Sequence, residues 1–409
     1  MSRISNFLTS QNTYAIVIAA LLVVLPLAFG LSTGILIALV AIALASLKFH
    51  RIQFDKALFV PMVFYVLMAI SLVWSSDTKN SLRGLERQLA MVLIPLAFMV
   101  MPALSVQTRD KILYWFSLSL AILAIFLVIW AGVIYESGHT EVFFYHALVA
   151  PLDLNAIYVS VFVSLSLLFL LFKQKRSIWS LIALGILLVF LLLLASKIII
   201  VATAILGFFG IISTFKRTTI LKLLPFLLIA FGLLIFTSNP VKSRFQREIT
   251  ASNISEVLEA DQFNKVYDWT GTTIRLFQAR IFSEMLDEDP IFWTGYGINN
   301  SKEKIIEKQK QYNLWQGYYT YNFHNQYIQA FAELGIFGLL CLFLLLGVIL
   351  KRYLETKDIL FLFLFFIMLV VFITESYLWR QRGLYHFLVL FCLFLKTETP
   401  AKAIPTNET

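Results

Sequence analysis

The sequence predicts an all-α polytopic membrane protein with about twelve transmembrane helices and one large, partly helical loop outside the membrane. Hydrophobic residues make up 59% of the 409 residues, charged residues only 14%, and the mean hydropathy is +0.82. A soluble domain usually has nearly a quarter of its residues charged. Apolar runs of membrane-spanning length also recur along the chain, and only one long polar segment interrupts them.

The apolar runs give the positions of the predicted helices, because about 20 apolar residues of helix cross a bilayer core. The first two runs are separated only by a turn at Gly30–Gly34 and the last is short, so ten or eleven spans remain possible. The candidate spans are roughly 14–30, 32–47, 57–74, 88–103, 111–135, 154–172, 177–195, 198–214, 219–237, 327–350, 358–375 and 383–395.

These runs divide the chain into four predicted regions. Residues 1–237 form an N-terminal transmembrane bundle of about nine helices, 238–326 a loop, 327–396 the C-terminal transmembrane helices, and 397–409 a tail. The two cysteines, Cys341 and Cys392, lie inside apolar runs, so no disulfide framework is predicted. The five histidines are scattered, and no metal site is predicted.

Basic residues predict the orientation, because short cytoplasmic connections carry an excess of lysine and arginine. With the N-terminus inside, seventeen basic residues from Arg3 to Lys402 fall on the cytoplasmic side. The short outer connections hold six: Lys79, Arg83, Arg87, Lys197, Arg380 and Arg382. The sequence therefore predicts both termini inside and the long loop outside.

The long loop combines a helix, turns and an aromatic run. Ile274, Phe277, Ile281 and Met285 are spaced as on a half-buried helix, which Thr272 or Thr273 would cap. Turn-rich residues follow, and the aromatic run 318–323 ends the loop. Tyrosines just outside a span usually anchor it at the membrane interface, whereas a sugar-stacking platform is the less common role.

The polar-to-apolar boundary at 324–338 carries the motif on which the functional prediction depends. His324-Asn325 is followed after nine residues by Gly335-x-x-Gly338, and upstream lie Arg275, Pro290 and Gly295-x-Gly297. In order, spacing and predicted topology, these motifs resemble those of the O-antigen ligase and polymerase family of bacterial membrane glycosyltransferases. Weaker similarities are Leu85-Glu86-Arg87 before Pro95, Ser196-Lys197, and Thr374-Glu375 with Gly383. The chain departs from the family's usual arginine at Lys197 and from its frequent aromatic residue at Ala279.

The resemblance implies a GT-C-like enzyme of the inner membrane whose active site faces the periplasm. Such enzymes move a glycan from an undecaprenyl-diphosphate carrier to an acceptor hydroxyl on lipid A–core or a similar glycan, with no metal or other cofactor and with inversion at the anomeric carbon. A polymerase that extends carrier-linked repeat units and a protein O-oligosaccharyltransferase are alternatives. A polysaccharide-lipid flippase is an alternative of another class, but its polar sites are expected near the membrane midplane. The bilayer is an expected partner, and nucleic acid is not.

Histidine has a pKa suited to general-base chemistry at neutral pH, so His324 is the predicted catalytic base. The alternative is a polar residue at the mouth of a helix. Asn325 is predicted to orient His324 or bind sugar, or else to cap the helix. Glu333 is predicted to bind substrate or act as the base; alternatively it forms a structural ion pair with Arg87 or Lys197, because an unpaired carboxylate in a membrane is costly.

Cationic residues are needed to neutralise a diphosphate leaving group. Arg275 is predicted to do so on the resemblance, and Lys197 and Arg87 because each lies at the outer end of a span. A solvated surface charge is the alternative for each of them. Gly335 and Gly338 are predicted to allow close helix packing, and Gly295 and Gly297 complete the structural motif of the loop.

Overall fold

A computed structural model describes residues 2–49, 52, 54–135, 140–173, 175–214, 216 and 240–398, and these residues form helices and connections without a β-strand. The helices are α1 (Ser2–Thr9), α2 (Gln11–Val24), α3 (Phe29–Ser46), α4 (Phe59–Ile70), α5 (Thr78–Gln88), α6 (Ala90–Val100), α7 (Val106–Tyr135), α8 (Tyr145–Val149), α9 (Ala156–Phe172), α10 (Ile178–Leu193), α11 (Lys197–Thr214), α12 (Pro240–Ala251), α13 (Ile254–Glu259), α14 (Gly271–Glu288), α15 (Ser301–Gln311), α16 (Gln326–Thr356), α17 (Ile359–Thr374) and α18 (Gln381–Lys396). The predicted all-helical class is confirmed.

Within the described part of the chain, four helical segments are long and apolar enough to cross a membrane: Phe29–Ser46, Lys56–Val73, Val106–Tyr135 and Gln326–Thr356. A fifth span results if Tyr145–Leu152 and Ala156–Phe172, which meet at 92°, are counted as one broken span. Helices α2, α10, α11 and α17 are apolar but shorter. Helices lie at the other predicted positions too, but a count of about twelve spans is not confirmed, and the predicted span 219–237 lies outside the described residues.

Helix α18 lies in the centre of the apolar bundle, and its residues from Arg382 to Phe394 are buried. It packs on α6, α2 and α9, and its side chains belong to the main hydrophobic core. The turn that precedes α18 is therefore held in place from several sides. This matters for function because Glu375 and Arg380 lie in that turn.

The loop has a hydrophobic core of its own around α14, which includes Phe277, Ile281 and Met285 as the sequence predicts. Thr270 caps α14 by accepting from the Thr273 backbone N–H at 3.2 Å, while the Thr273 hydroxyl accepts in return from the Thr270 N–H at 2.8 Å. The predicted cap at Thr272 or Thr273 is wrong, because Thr270 is the residue with extended backbone that this exchange requires.

Helix α16 is interrupted at Gly335, whose φ of 63° and ψ of −160° are not helical. The Gly295–Gly297 turn of the loop fills the interruption: the Tyr296 N–H donates to the Ala332 carbonyl at 2.9 Å and the Gly297 N–H donates to the Glu333 carbonyl at 2.8 Å. A Cβ on Gly335 would collide with the Trp293 backbone. The predicted close approach at Gly335 therefore exists, but the neighbour is the loop rather than another helix.

The second glycine of the pair, Gly338, makes its close approach within α16. A Cβ there would collide with the Ala330 carbonyl and lie 2.6 Å from the Leu334 Cβ. The bend at Gly335 brings the earlier turn of the same helix over Gly338. Both motif glycines are thus required by the interruption of α16. Packing against a neighbouring helix, the predicted reason, does not account for them.

Candidate active site

A cavity of about 1130 Å³ opens at one end of the helical bundle, and five chain segments line it. The start of α3 and the first turns of α6 supply an apolar wall that includes Phe29, Leu36 and Leu93. The α8–α9 corner, the residues before α16 and the turn between α17 and α18 supply polar side chains. A lining of this kind suits a ligand with an apolar part and a polar part.

His324 lies at the cavity with its backbone in the left-handed region, at φ 47°. Its backbone N–H donates to the Asn322 side-chain oxygen at 3.0 Å. The Tyr321 ring packs edge-on against the imidazole, with the two ring centroids 4.9 Å apart. The ring Nδ1 lies 3.4 Å from both carboxylate oxygens of Glu375. Its Nε2 is buried and has no hydrogen-bond partner among the described residues. With Nδ1–H donating to Glu375, Nε2 is an acceptor available to a hydroxyl group.

Glu375 is buried between two of the predicted site residues, His324 and Arg275. Burial by itself raises the pKa of the Glu375 carboxyl, but the hydrogen bond and charge of His324 and the Arg275 guanidinium lower it below its ordinary value. Glu375 is therefore ionised at neutral pH. An ionised carboxylate at Nδ1 both orients an imidazole and stabilises its protonated form.

Arg275 is fixed by three hydrogen bonds and does not line the cavity. Its Nε donates to the Thr374 carbonyl at 2.7 Å, one terminal nitrogen donates to the Gly271 carbonyl at 2.7 Å, and the other donates to Glu375 at 3.2 Å. Most of the guanidinium is thus engaged with the chain itself. In this arrangement Arg275 holds the Glu375 carboxylate in position beside His324.

Three arginines line the cavity, and two of them have exposed side chains. Arg87, which the sequence predicts as a site residue, and Arg380 are exposed and form no ion pair within the described residues. Arg382 donates to the Asp153 carbonyl at 2.6 Å and lies 3.9 Å from the centre of the Phe29 ring. Arg87 and Arg380 are therefore the cations best placed to meet an anionic ligand.

Lys197 lies away from the cavity and forms an ion pair with Glu248 of α12. Burial raises the pKa of Glu248, but the Lys197 ammonium and the Thr272 N–H outweigh this effect and lower it to about 2. Glu248 also accepts from the Thr272 N–H at the start of α14. One carboxylate thus connects the first residue of α11 with two helices of the loop.

Asn325 and Glu333 do not line the cavity. The Asn325 side chain accepts from the Tyr327 and Ile328 N–H groups at 2.9 and 3.0 Å, which is the capping role considered for it. Glu333 is buried and accepts from Ser301 at 2.6 Å and Gln329 at 2.9 Å. The ion pair considered for Glu333 is wrong: its partners are uncharged, and Lys197 is paired with Glu248.

Three residues that line the cavity are not among the site residues predicted from the sequence: Glu375, Arg380 and His146. The sequence did contain indications for two of them. Thr374-Glu375 has a weak similarity to the family motifs, and Arg380 is one of the few basic residues in the predicted outer connections. His146 carried no signal, because no motif surrounds it. Groups of three or more His, Cys, Asp or Glu side chains arranged to hold a metal do not occur within the described ranges.

The family model described as O-antigen ligase matches residues 186–343, a segment that includes Lys197, Arg275 and His324. No curated protein matches the chain. The match supports a membrane glycosyltransferase of the O-antigen ligase or polymerase type. The match is thus consistent with the resemblance that the motifs of the sequence indicate.

Proposed function

We propose that the protein transfers a glycan from an undecaprenyl-diphosphate carrier to an acceptor hydroxyl on the periplasmic face of the bacterial inner membrane. The observation that carries this proposal is the pairing of His324 with Glu375 at a cavity that also presents Arg87 and Arg380. One wall of the cavity is apolar; Arg380 lies on the polar side, and Arg87 lies at the end of α5, directly before the apolar wall of α6. These are the two surfaces that a polyprenyl chain and its diphosphate need.

In the proposed mechanism His324 is the general base and Glu375 its orienting partner. The acceptor O–H gives its proton to His324 Nε2 while its oxygen attacks the anomeric carbon of the donor glycan. The bond from that carbon to the diphosphate oxygen breaks, and the leaving diphosphate takes the electron pair. Attack from the face opposite the leaving group inverts the anomeric centre.

Arg87 and Arg380 neutralise the charge that develops on the diphosphate, because neither has an ion-pair partner among the described residues that would compete. Arg275, predicted from the sequence as a diphosphate ligand, is assigned a positioning role through Glu375 instead. Lys197 is assigned a structural role through its ion pair with Glu248. Lipid A–core is the proposed acceptor class, with a carrier-linked repeat unit or a protein hydroxyl as alternatives.

The decisive experiment replaces His324 with alanine in the full-length protein in vesicles. His324→Ala is expected to bind the carrier-linked donor normally and to transfer glycan about 10²- to 10⁴-fold more slowly, because proton removal is lost. Glu333→Gln is the control, and it is expected to retain most of the transfer since Glu333 does not line the cavity. Transfer is measured at matched membrane levels of the folded protein.

Two results would contradict this assignment. Normal transfer by His324→Ala together with loss in Glu333→Gln would make Glu333 the base. Movement of the carrier lipid across the vesicle without release of undecaprenyl diphosphate would show a flippase. The cavity lies at one end of the bundle rather than midway along its helices, which favours surface chemistry over transport.

A further inference from the structure

His146 is a second histidine of the cavity, and the mechanism above does not use it. It lies on the short helix α8, close to the corner where the chain turns by 92° into α9. Its side chain is exposed, and the neighbouring residue Asn155 caps α9 by accepting from the Ile157 N–H at 2.8 Å. The corner therefore has a defined backbone that presents the imidazole to the cavity.

A hydrogen bond from the backbone determines which nitrogen of His146 carries the proton. The Ala156 N–H donates to Nδ1 at 3.3 Å. A backbone amide can only donate, so Nδ1 must offer its lone pair and the proton of the neutral ring must be on Nε2. A doubly protonated imidazolium has no lone pair and would lose this bond. The contact therefore favours a neutral ring that donates from Nε2.

Packing also holds the ring in place. The Tyr145 ring lies with its centroid 3.9 Å from that of His146, and the Arg244 guanidinium lies 3.5 Å from the centre of the Tyr145 ring. Tyr145 itself has φ 55°, a left-handed conformation that is uncommon outside glycine and that turns the chain sharply before His146. A donor held in this way loses little freedom when it binds an oxygen.

His324 and His146 thus have opposite hydrogen-bonding roles at Nε2, one as acceptor and one as donor. A carboxylate at Nδ1 of His324 leaves Nε2 of that ring as an acceptor, whereas an amide at Nδ1 of His146 leaves Nε2 of that ring as a donor. In the proposed reaction the acceptor hydroxyl needs a proton acceptor and the diphosphate needs hydrogen-bond donors. A bond from an N–H group to an anionic oxygen is stronger than one to a neutral oxygen.

We propose that His146 is a further substrate-binding residue, whose Nε2–H donates a hydrogen bond to an oxygen of the carrier diphosphate. This inference rests on the proposed function. It adds an uncharged donor to the two exposed arginines, on the side of the cavity formed by the α8–α9 corner. It also excludes His146 as an alternative base.

Asparagine and glutamine at position 146 separate ligand binding from a structural role. His146→Asn keeps an oxygen near Nδ1 for the Ala156 N–H but does not reach as far as Nε2. His146→Gln places an amide near Nε2 but loses the acceptor for Ala156. The measurement is inhibition of glycan transfer by added undecaprenyl diphosphate, with the full-length protein in vesicles.

The inhibition constant for undecaprenyl diphosphate is expected to rise about 10-fold or more in His146→Asn, the loss expected for one hydrogen bond to a charged group. His146→Gln is expected to stay much closer to the wild type. An unchanged constant in His146→Asn overturns the inference. If His146→Gln is impaired in that case, the contact between the Ala156 N–H and residue 146 has a structural role instead. If undecaprenyl diphosphate does not inhibit the wild type at all, the proposed function itself fails.

Discussion

Glu375 is the residue that joins the predicted site residues into one arrangement. It lies 51 residues after His324 and 100 after Arg275 in the chain, yet its carboxylate contacts both side chains. Because Arg275 has further bonds to the Thr374 and Gly271 carbonyls, it restricts where the carboxylate can move. A base needs this kind of support, since its lone pair must point at the reacting hydroxyl.

Removing the charge of Glu375 is therefore expected to impair the chemical step. Glu375→Gln should lower kcat about 10²-fold or more, with a smaller change in KM for the donor, because the imidazolium that forms on His324 loses its counter-charge. Initial rates at varied donor concentration measure both constants. A raised KM with normal kcat would instead make Glu375 a ligand of the substrate.

Arg275 and Lys197 have different partners, so their loss should have different effects. Arg275→Ala is expected to behave like a weaker form of Glu375→Gln, with a fall in kcat, because the carboxylate is no longer held. Lys197→Ala is expected to leave kcat almost unchanged, because Lys197 contacts Glu248 rather than the cavity. Equal and large losses of donor affinity in both variants would instead show that both residues bind the diphosphate.

At the scale of single elements, the interruption of α16 depends on the absence of a side chain at Gly335. Gly335→Ala is expected to destabilise the protein by about 1–3 kcal/mol or more, because alanine strains at φ 63° and its Cβ collides with Trp293. Gly347→Ala is the matched control on the same helix, because its Cβ would meet nothing within 4 Å. Thermal unfolding in detergent compares the two, and equal midpoints would show that the interruption tolerates a side chain.

The connection made by Glu248 gives a pH dependence to the attachment of the loop. Its pKa is lowered to about 2 from an ordinary value of 4.5, so its contribution to stability is complete above pH 4.5 and is lost as the pH falls toward 2. Limited proteolysis of α12 is therefore expected to speed up across that window in the wild type. Glu248→Gln should show faster cleavage already at neutral pH and less change with acid.

For the whole molecule, the orientation in the membrane remains a prediction from basic residues. The cavity lies at the ends of α16 and α18 opposite to those that carry Lys351, Arg352 and Lys396, which the sequence places in the cytoplasm. A reporter fused after Asn300 is expected to be periplasmic, and one fused after Arg176 cytoplasmic. A cytoplasmic signal at Asn300 would put the proposed site in the wrong compartment.

Apolar periodicity predicts where helices form because it depends on neighbouring residues, and the described helices lie at those positions. The sequence marks His324 and Arg275 as candidates because motifs surround them. The partnership of His324 with Glu375 could not, because it depends on how α17 packs against α16. The role proposed for His146 depends on one backbone hydrogen bond across a corner, for which the sequence holds no pattern.

The interruption of α16 also determines which segment would have to be exchanged in a chimera with a related protein. The Ala332 and Glu333 carbonyls are satisfied by N–H groups of Tyr296 and Gly297, and the Ile336 N–H donates to the Phe292 carbonyl at 2.8 Å. A chimera that replaced only residues 240–326 would set a foreign turn against these groups and leave polar backbone unpaired near the membrane. The loop and α16 through Gly338 thus form one structural unit. We expect a chimera to acquire the substrate specificity of a related protein only when both segments are exchanged together.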